Sequence, residues 1–412
     1  MHVRCNIPSG SERWDWCPGP ISTGGCAGLD IHPNLSYEHP IDGSSGQAAV
    51  SIVSSSLSCL GSLLIVFSYW KWKDIRTGSR SVVTFLAIAD FFTAFGYIIG
   101  SANFVIHNGK PPGSSSCVQF NMVCKIQSFI TSWSSLSSFL WTAALALYLY
   151  CTIARNRVVL ASKLIPYFHV ICWGAPILIC LPLLISEKLG HSPYAAATWC
   201  YIAQPPSQYD DGLAKDTVLW LFLGGKFWEI LSYFLVVGLY IAIKVQVRKQ
   251  TKIGESENIL SAGLISVVKK ADRKLTFIPI VFVLLRIWGT IQFFYSLAVS
   301  QYISCACTTQ VIATVFTVLT YFQAIGDGGQ GWGNVFLYVL ASDKIRTRLL
   351  GQLFCPSNSD DYPPRRIPDV KPRPIDRGNH HHAANQPLAV DVQNQVVSYQ
   401  STVTHEATTP IN

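Results

Sequence analysis

The chain contains seven long apolar stretches, and this number constrains its fold more than any other feature. The stretches lie at about 47–70, 81–106, 122–153, 164–185, 217–246, 275–300 and 308–340. Each is long enough for a helix to cross the hydrocarbon core of a bilayer, which takes roughly 20 apolar residues. Only 13% of the residues are charged, whereas soluble globular chains have about 25%. We therefore predict an all-α membrane protein with a seven-transmembrane helix bundle.

The loops between the predicted spans carry lysine and arginine mainly on one side. The first, third and fifth loops and the C-terminal tail hold most of the 31 basic residues. Cytoplasmic loops of membrane proteins are enriched in these two residues. We therefore expect the N-terminus outside the cell and the C-terminus in the cytoplasm. The net charge of +8 follows this topology and does not indicate a nucleic-acid partner.

The predicted spans divide the chain into four regions. These are an extracellular N-terminal segment at 1–46, the transmembrane bundle at 47–340, a short amphipathic membrane-surface helix at 341–355 and a disordered cytoplasmic tail at 356–412. The first region contains a glycosylation sequon at Asn34. No apolar run follows Met1, so we expect no cleavable signal peptide. Cys355 follows the amphipathic stretch and is a candidate for palmitoylation.

Many cysteines lie where this topology places them outside the cell, and disulfides persist in that oxidising environment. Cys124 lies at the outer end of the third span, and Cys200 lies in the loop after the fourth. A bridge between them would tie that loop to the bundle. The sequence does not determine how the other outer cysteines pair. These are Cys5, Cys17, Cys26, Cys117, Cys305 and Cys307.

Few ionisable side chains fall within the predicted spans, and such residues usually face a bundle interior or a water-filled cavity. Lys226 and Glu229 are three positions apart, so a local ion pair on one helical face is one interpretation. Arg286 and Asp327 are candidates for a pair across spans six and seven, and Asp90 lies in the inner half of span two. Two interpretations stay open. The charges form a hydrated network that rearranges when the bundle changes state, or they lock helix packing.

The seventh span contains a glycine-rich run that ends at Gln330, Gly331 and Asn334. Glycine is a poor helix former, but in a membrane it permits close contact between helices. The run is either a packing surface or a flexible hinge near the cytoplasmic face, and we prefer the hinge. Pro279 in span six is a second expected bending point, because proline removes a helix hydrogen bond.

Several of these motifs resemble those of known receptor families. The run from Trp173 to Pro176 in span four resembles the Gly-Trp-Gly-x-Pro pattern of secretin-like and slime-mould cAMP-type receptors. Gln330 and Gly331, followed by Asn334, resemble the Gln-Gly pattern of the same two groups. Residues 50–350 as a whole resemble the group of the orphan G-protein coupled receptor 157.

The resemblance implies a multi-pass receptor of the plasma membrane, with the ciliary membrane as a narrower expectation. Such a receptor transmits an extracellular signal, from a ligand that the sequence does not identify, to a heterotrimeric G protein. The phospholipase C-activating class is the narrower expectation for that G protein. The resemblance also implies the bridge between Cys124 and Cys200. The Asp-Arg-Tyr and Asn-Pro-x-x-Tyr motifs of other receptors are missing, so an arginine–carboxylate lock cannot be carried over unchanged.

The expected mechanism starts with a ligand in the outer bundle, near spans three, five, six and seven. Its different affinity for two bundle states shifts the population between them, and the inner ends of spans five and six move. The basic residues expected to face the G protein are Arg155, Arg157, Lys269, Lys270, Arg273 and Lys274. Their alternative interpretation is plain topology and contact with membrane lipid headgroups. Serine and threonine residues of the tail are candidate phosphorylation sites for arrestin-type regulators.

Other classes of protein are less well supported by the sequence. A seven-helix transporter or channel is the alternative, but transporters usually show paired inverted repeats, and only span seven has a broken-helix signal. An opsin-type pump needs a Schiff-base lysine in span seven, and residues 308–340 contain none. Neither His-Glu-x-x-His nor Gly-x-Ser-x-Gly occurs, so we expect no enzyme, and we expect no cofactor or metal.

Overall fold

The computed structural model describes residues 45–107, 114–190, 198–203, 215–254, 277–303, 310–341 and 345–349. Several predicted features lie outside the described residues. These are residues 1–44 with Asn34, the fifth-loop residues Lys269, Lys270, Arg273 and Lys274, the lipidation candidate Cys355, the tail at 356–412, and Cys5, Cys17, Cys26, Cys305 and Cys307. Cys117 belongs to a described helix, but its side chain lies outside the described part.

The described residues form long helices at the predicted positions. In chain order these are α1 (Ser45–Lys71), α2 (Gly78–Ile106), α3 (Ser114–Leu149), α4 (Val158–Ile185), α5 (Lys215–Leu221), α6 (Phe227–Gly254), α7 (Ile278–Ile303), α8 (Gln310–Gly328) and α9 (Gln330–Ala341). A π-helical turn at Tyr150–Ala154 extends α3, and another at Phe222–Lys226 joins α5 to α6. Among the described residues, α1 to α4, the joined α5–α6 rod and α7 are long and apolar enough to cross a membrane. Helices α8 and α9 together cover the seventh apolar stretch.

Helix α1 has a polar face toward the interior of the bundle and an apolar face on the outside. Ser55, Ser58 and Ser62 recur at helical spacing on its buried face. Leu60 and Trp70 on its other face are 66% and 76% exposed. A surface helix of a water-soluble protein has the opposite arrangement, with its apolar stripe inward. Helix α1 is therefore suited to lipid on one side and to polar helix contacts on the other.

Helix α3 is the centre of the bundle. In its most apolar window 78% of the residues are buried, against 17% for the α5–α6 rod. Trp141 of α3 is fully buried and has ring contacts with Phe85 of α2 and with His169 and Trp173 of α4. Trp173 is thus part of the packing between α3 and α4, and Pro176 is buried on the same helix.

The structure differs from the expectation at Pro279. The described part of α7 begins at Ile278, so Pro279 occupies its first turn. The N–H groups of Ile280 and Val281 both donate to Phe277 O, at 3.0 Å each. Proline in the first turn of a helix removes no intrahelical hydrogen bond, because that N–H has no partner in any case. Pro279 therefore starts this part of α7 and does not bend it.

The predicted all-α class needs one addition, a short β-hairpin after α4. Strand β1 (Leu189–Gly190) pairs antiparallel with β2 (Tyr201–Ile202). A disulfide joins Cys200 to Cys124 of α3, with the two Cα atoms 5.4 Å apart. The Cys200 N–H also donates to Gln127 Oε1 of α3 at 2.9 Å. The hairpin is therefore fixed to the central helix of the bundle.

Candidate functional site

A cavity of about 110 Å³ lies between the hairpin and the helices, and we call it the hairpin cavity. Its lining comes from α2, α3, β2, the α5–α6 rod, α7 and α8. Aromatic side chains form much of its wall, and these are Tyr97, Phe139, Trp199, Tyr201 and Phe293. Ligand sites are typically apolar and aromatic with a few well-placed polar groups. The hairpin cavity has this composition.

The hairpin contributes two of these aromatic residues. The Trp199 and Tyr97 rings meet edge to face with centroids 4.7 Å apart. The Tyr201 hydroxyl lies over Gly225, in the π-helical turn of the α5–α6 rod, where no larger residue would leave it room. Burial raises the pKa of Tyr201, so its hydroxyl stays protonated and can donate a hydrogen bond. The disulfide to α3 holds both side chains in the cavity wall.

Four charged residues meet in the hairpin cavity, and we call them the charged quartet. Lys226 Nζ lies 2.8 Å from Glu229 Oε2, and Arg286 Nη1 lies 3.2 Å from Asp327 Oδ1. The two pairs approach each other beside Gly289. A Cβ atom built on Gly289 would lie 3.2 Å from both Asp327 carboxylate oxygens and 3.3 Å from Lys226 Nζ. The charges thus form one cluster in the order Glu229, Lys226, Asp327, Arg286, with alternating sign.

Glu229 has hydrogen-bond partners that were not predicted from the sequence. The Tyr233 hydroxyl donates to Glu229 Oε1 at 2.5 Å, and Thr290 Oγ1 of α7 donates to the same oxygen at 3.1 Å. Glu229 is only 3% exposed, and a buried carboxylate is costly unless it is paired and hydrogen-bonded. Tyr233 follows Glu229 by four positions on the same helix, so helical spacing offered a signal for this contact. Thr290 offered none.

Arg286 is satisfied on one side only. Arg286 is 3% exposed, and its Nη1 donates to Asp327 Oδ1. Its Cζ atom lies 5.0 Å from the centroid of the Phe139 ring. The buried atoms Nε and Nη2 have no hydrogen-bond partner in the part of the chain that the structure describes. Unpaired buried donors of a charged group are costly, so this edge of the guanidinium is prepared for a further partner.

Asp90 forms a second polar centre. Ser138 Oγ donates to Asp90 Oδ1 at 2.6 Å, and Asn334 Nδ2 donates to Asp90 Oδ2 at 2.7 Å. Asp90 is 2% exposed and Asn334 is fully buried. This centre joins α2, α3 and α9. The structure therefore links Asn334, which the sequence placed in the glycine-rich run, to a residue predicted for the polar network.

The glycine-rich run packs closely against α1. The helix breaks at Gly329, between α8 and α9. A Cβ atom on Gly331 would lie 2.5 Å from Ser58 O, and one on Gly328 would lie 2.6 Å from Ser55 Oγ. Ser58 Oγ also donates to Gly328 O. The serine face of α1 thus satisfies backbone groups that the helix break frees, and the close contact requires glycine.

The other predicted site residues lie apart from the hairpin cavity. Gln330 is 2% exposed, next to Gly331 in the contact with α1. Arg155 and Arg157 are exposed just beyond α3, where the Arg155 N–H closes the π-helical turn on Tyr150 O at 3.1 Å. They are accessible to a partner at that end of the bundle.

A helical bundle with buried polar centres and a disulfide-tied hairpin over a cavity has the architecture of a G-protein-coupled receptor. Squid rhodopsin has this fold, with a TM-score of 0.52, 14% identity, and coverage of 84% of this chain and 95% of that chain.

Sequence comparison gives the family. The slime mold cyclic AMP receptor family matches residues 41–251. G-protein coupled receptor 157 of Homo sapiens is 33% identical over 332 residues, which cover 79% of this chain and 89% of the relative. Cyclic AMP receptor-like protein A of Dictyostelium discoideum is 27% identical over 154 residues, 37% of this chain and 36% of the relative. The chain therefore belongs to the slime mold cyclic AMP receptor family of G-protein-coupled receptors, and the resemblance found in the sequence is confirmed.

Proposed function

We propose that this receptor binds an extracellular ligand in the hairpin cavity and transmits its presence to a heterotrimeric G protein, with the phospholipase C-activating class as the first candidate. The observation that carries the proposal is the charged quartet, buried in the hairpin cavity under the disulfide-tied hairpin. Buried charges in a membrane protein are costly. A role in ligand binding and in the change of state of the bundle would explain why these charges are present.

In the proposed topology, α8 and α9 together form the seventh span. The N-terminus lies outside the cell and the C-terminus lies in the cytoplasm. Helices α8 and α9 have 19 and 12 residues, and at about 1.5 Å per residue they extend beyond the roughly 30 Å of the hydrocarbon core. Arg348, after α9, donates to both carboxylate oxygens of Asp74 in the first loop, at 2.8 and 3.0 Å. This ion pair supports a topology in which the first loop and the C-terminal segment lie on the same side of the membrane, with residues 341–355 along the membrane surface.

The same segment offers a route from ligand to G protein. Asp327 of α8 belongs to the charged quartet, and Asn334 of α9 belongs to the Asp90 centre. A ligand that binds one arrangement of Asp327 better than another shifts the population of the two states. Because α8 and α9 are consecutive, such a shift displaces Asn334 relative to Asp90.

On the cytoplasmic side, the proposed G-protein contacts begin with the exposed Arg155 and Arg157. The fifth-loop residues Lys269, Lys270, Arg273 and Lys274 are proposed to flank the same opening. Lipid headgroups also attract basic residues near a membrane surface, so these side chains have two proposed partners. Arrestin-type regulators are proposed to bind the tail, and the plasma membrane, including that of the cilium, is the proposed location.

The test is recruitment of minimal Gα proteins, one of each class, to the receptor in living cells. The test variant replaces Lys269, Lys270, Arg273 and Lys274 by alanine. A matched control replaces the same number of basic residues in the predicted tail, namely Arg365, Arg366, Lys371 and Arg373. We expect selective recruitment that falls in the loop variant and persists in the control.

Equal recruitment by the loop variant would contradict the proposed contacts. Recruitment of a single Gα outside the phospholipase C-activating class would replace that part of the proposal. A surface-expressed protein that recruits no Gα and instead conducts ions or moves a solute would favour the transporter or channel alternative.

A further inference from the structure

The open edge of Arg286 indicates what kind of ligand the hairpin cavity takes. We infer that it receives the carboxylate of a small, singly charged organic anion, bound in a bidentate manner by Arg286 Nε and Nη2. The inference rests on the proposed function, because it names the ligand class of the same site.

The guanidinium of Arg286 has the geometry to bind a carboxylate. Nε–H and one N–H of Nη2 point in parallel from one edge of the planar group, which matches the two oxygens of a carboxylate. In this structure the ion pair with Asp327 uses Nη1 only, at 3.2 Å. Nε and Nη2 make no hydrogen bond of good geometry among the described residues, although Arg286 is 3% exposed and lines the hairpin cavity. The Tyr97 hydroxyl lies beside the guanidinium and can donate to a carboxylate that binds there. An edge of this kind is specific for planar, bidentate acceptors.

The order of charges in the quartet favours a single negative charge at the open edge of Arg286. Glu229, Lys226, Asp327 and Arg286 alternate in sign, so each inner charge has opposite neighbours. Arg286 is the positive end of the series, and a negative group on its open edge continues the alternation. The two positive and two negative charges of the quartet sum to zero, so a singly charged ligand leaves one net negative charge in the cavity and a doubly charged ligand leaves two. Burying the second uncompensated charge is costly. A carboxylate is therefore favoured over a phosphate dianion.

The rest of the cavity lining provides further hydrogen-bond donors. Ser132 Oγ and Ser135 Oγ on α3 are buried hydroxyl groups that make no hydrogen bond of good geometry among the described residues, and Ser135 faces the Tyr97 hydroxyl. Both line the cavity, and Ser135 and Arg286 lie beside Tyr97. Hydroxyl groups can donate to the outer lone pairs of a bound carboxylate. These groups and the Arg286 edge provide several donors in one place.

The size of the cavity limits the ligand. A buried water needs roughly 10–15 Å³ by the corresponding measure, so the 110 Å³ of the hairpin cavity holds about ten non-hydrogen atoms. That is a small aromatic or aliphatic acid, or the acidic end of a larger one. The aromatic walls formed by Phe139, Trp199 and Phe293 suit an apolar body behind the carboxylate.

The experiment measures the thermal unfolding of the purified full-length receptor in detergent. The probes are sodium benzoate and sodium acetate, each compared with its uncharged amide, benzamide or acetamide, at constant ionic strength adjusted with sodium chloride. Sodium phosphate is tested in the same way. A ligand that binds only the folded state raises the unfolding temperature in a saturable manner.

We expect benzoate to raise the unfolding temperature more than acetate does, and the two amides and phosphate to have no saturable effect. Equal shifts by benzoate and benzamide would overturn the inference, because the charge would then be irrelevant. A shift by phosphate without a shift by either carboxylate would overturn the ligand class. No saturable shift by any probe above the chloride background would show that the open edge holds only water or chloride.

Two variants connect the effect to the site. Arg286→Lys keeps the charge beside Asp327 but loses the bidentate edge, and we expect the half-saturating benzoate concentration to rise about tenfold or more. Arg348→Lys is the matched control, since Arg348 makes an exposed bidentate pair with Asp74 and neither residue lines the cavity. If Arg286→Lys does not fold, Ser135→Val narrows the cavity and leaves the quartet unchanged, and it should weaken benzoate in the same way. Benzoate that binds both cavity variants as before would refute the inference.

This experiment needs no G protein. A receptor that recruits Gα but ignores every carboxylate refutes the ligand class and leaves the proposed function intact. A protein that binds benzoate but recruits no Gα retains the ligand class and loses the proposed function.

Discussion

Replacing Gly331 by alanine separates the two interpretations of the glycine-rich run. A Cβ atom at Gly331 would lie 2.5 Å from Ser58 O and 2.5 Å from Ser62 Oγ. Ser62 can change its rotamer, but Ser58 O belongs to the backbone of α1, so α1 and α9 must move apart. If the run is a packing surface, Gly331→Ala destabilises the receptor. If it is a flexible hinge, alanine stiffens the segment and stabilises it.

The expected size follows from two opposing contributions. Overpacking a close contact costs about 1–3 kcal/mol. Alanine recovers up to about 1 kcal/mol as a better helix former, and less at Gly331 because it is the second residue of α9. We therefore expect a net loss of about 1–2 kcal/mol in the free energy of unfolding. Gly238 in α6 is the matched control, since a Cβ atom there meets nothing within 4 Å. Gly238→Ala should be neutral or stabilising.

The assay uses the protein's own buried cysteines. Cys151, Cys172 and Cys180 are free and buried, so a dye that fluoresces on reaction with thiols reports unfolding as the temperature rises. We expect the unfolding temperature of Gly331→Ala to be below that of the natural receptor, and that of Gly238→Ala to be equal or higher. A Gly331→Ala receptor that is as stable as Gly238→Ala would refute the packing interpretation.

Three further substitutions test the other contacts with the same dye. Asn334→Ala removes the 2.7 Å hydrogen bond to Asp90 and should lower the free energy of unfolding by about 1.5–3 kcal/mol. An additional Asp90→Asn change should recover part of this loss. A double variant that is no more stable than Asn334→Ala would contradict the proposed role of the hydrogen bond. Changing Cys124 and Cys200 together to serine frees the hairpin without leaving an unpaired thiol, and it should cost about 2–5 kcal/mol. Tryptophan fluorescence replaces the dye in this comparison, because a thiol reductant would consume the dye. Reductant should lower the unfolding temperature of the natural receptor to that of the variant and should leave the variant unchanged. Glu229→Gln leaves Lys226 without its charged partner at 2.8 Å and should lower the free energy of unfolding by about 3–5 kcal/mol. An added Lys226→Met change should largely restore this stability. A loss below about 1 kcal/mol would indicate that solvent reaches the pair.

The sequence was most informative where the physical signal is local. The length and composition of the apolar stretches predicted the helices from α1 to α7, because a helix in a bilayer must satisfy its backbone internally. The spacing of Lys226 and Glu229 indicated a pair on one face of a helix, and the structure has that pair. The rarity of charges in the spans brought Arg286 and Asp327 to attention, and these two also meet.

The sequence was less informative where the contact is distant along the chain. Asn334 and Asp90 are 244 positions apart, and no periodicity relates two spans that become neighbours only on folding. The open edge of Arg286 could not be predicted either, since it depends on which nitrogen Asp327 accepts from. Pro279 was assigned to the interior of a span because the apolar run begins before it, whereas the described helix begins one residue before the proline.

The sequence of α1 contains a pattern that indicates its serine face. Ser55, Ser58 and Ser62 recur at helical spacing in an otherwise apolar stretch. In a membrane helix, small polar residues with this period mark the side that faces other helices. That pattern would have favoured packing over a hinge for the glycine-rich run, because a small-residue face needs a partner that approaches equally closely.

The most direct test of the receptor account is nucleotide exchange by a purified G protein. The full-length chain is placed in lipid nanodiscs and mixed with GDP-bound heterotrimers of each Gα class, and the uptake of a labelled, non-hydrolysable GTP analogue is followed over time. The account predicts that at least one class exchanges faster with the receptor than with empty nanodiscs, and that alanine at Arg155 and Arg157 reduces the acceleration. Exchange at the empty-nanodisc rate for every class, both with and without benzoate, would contradict it.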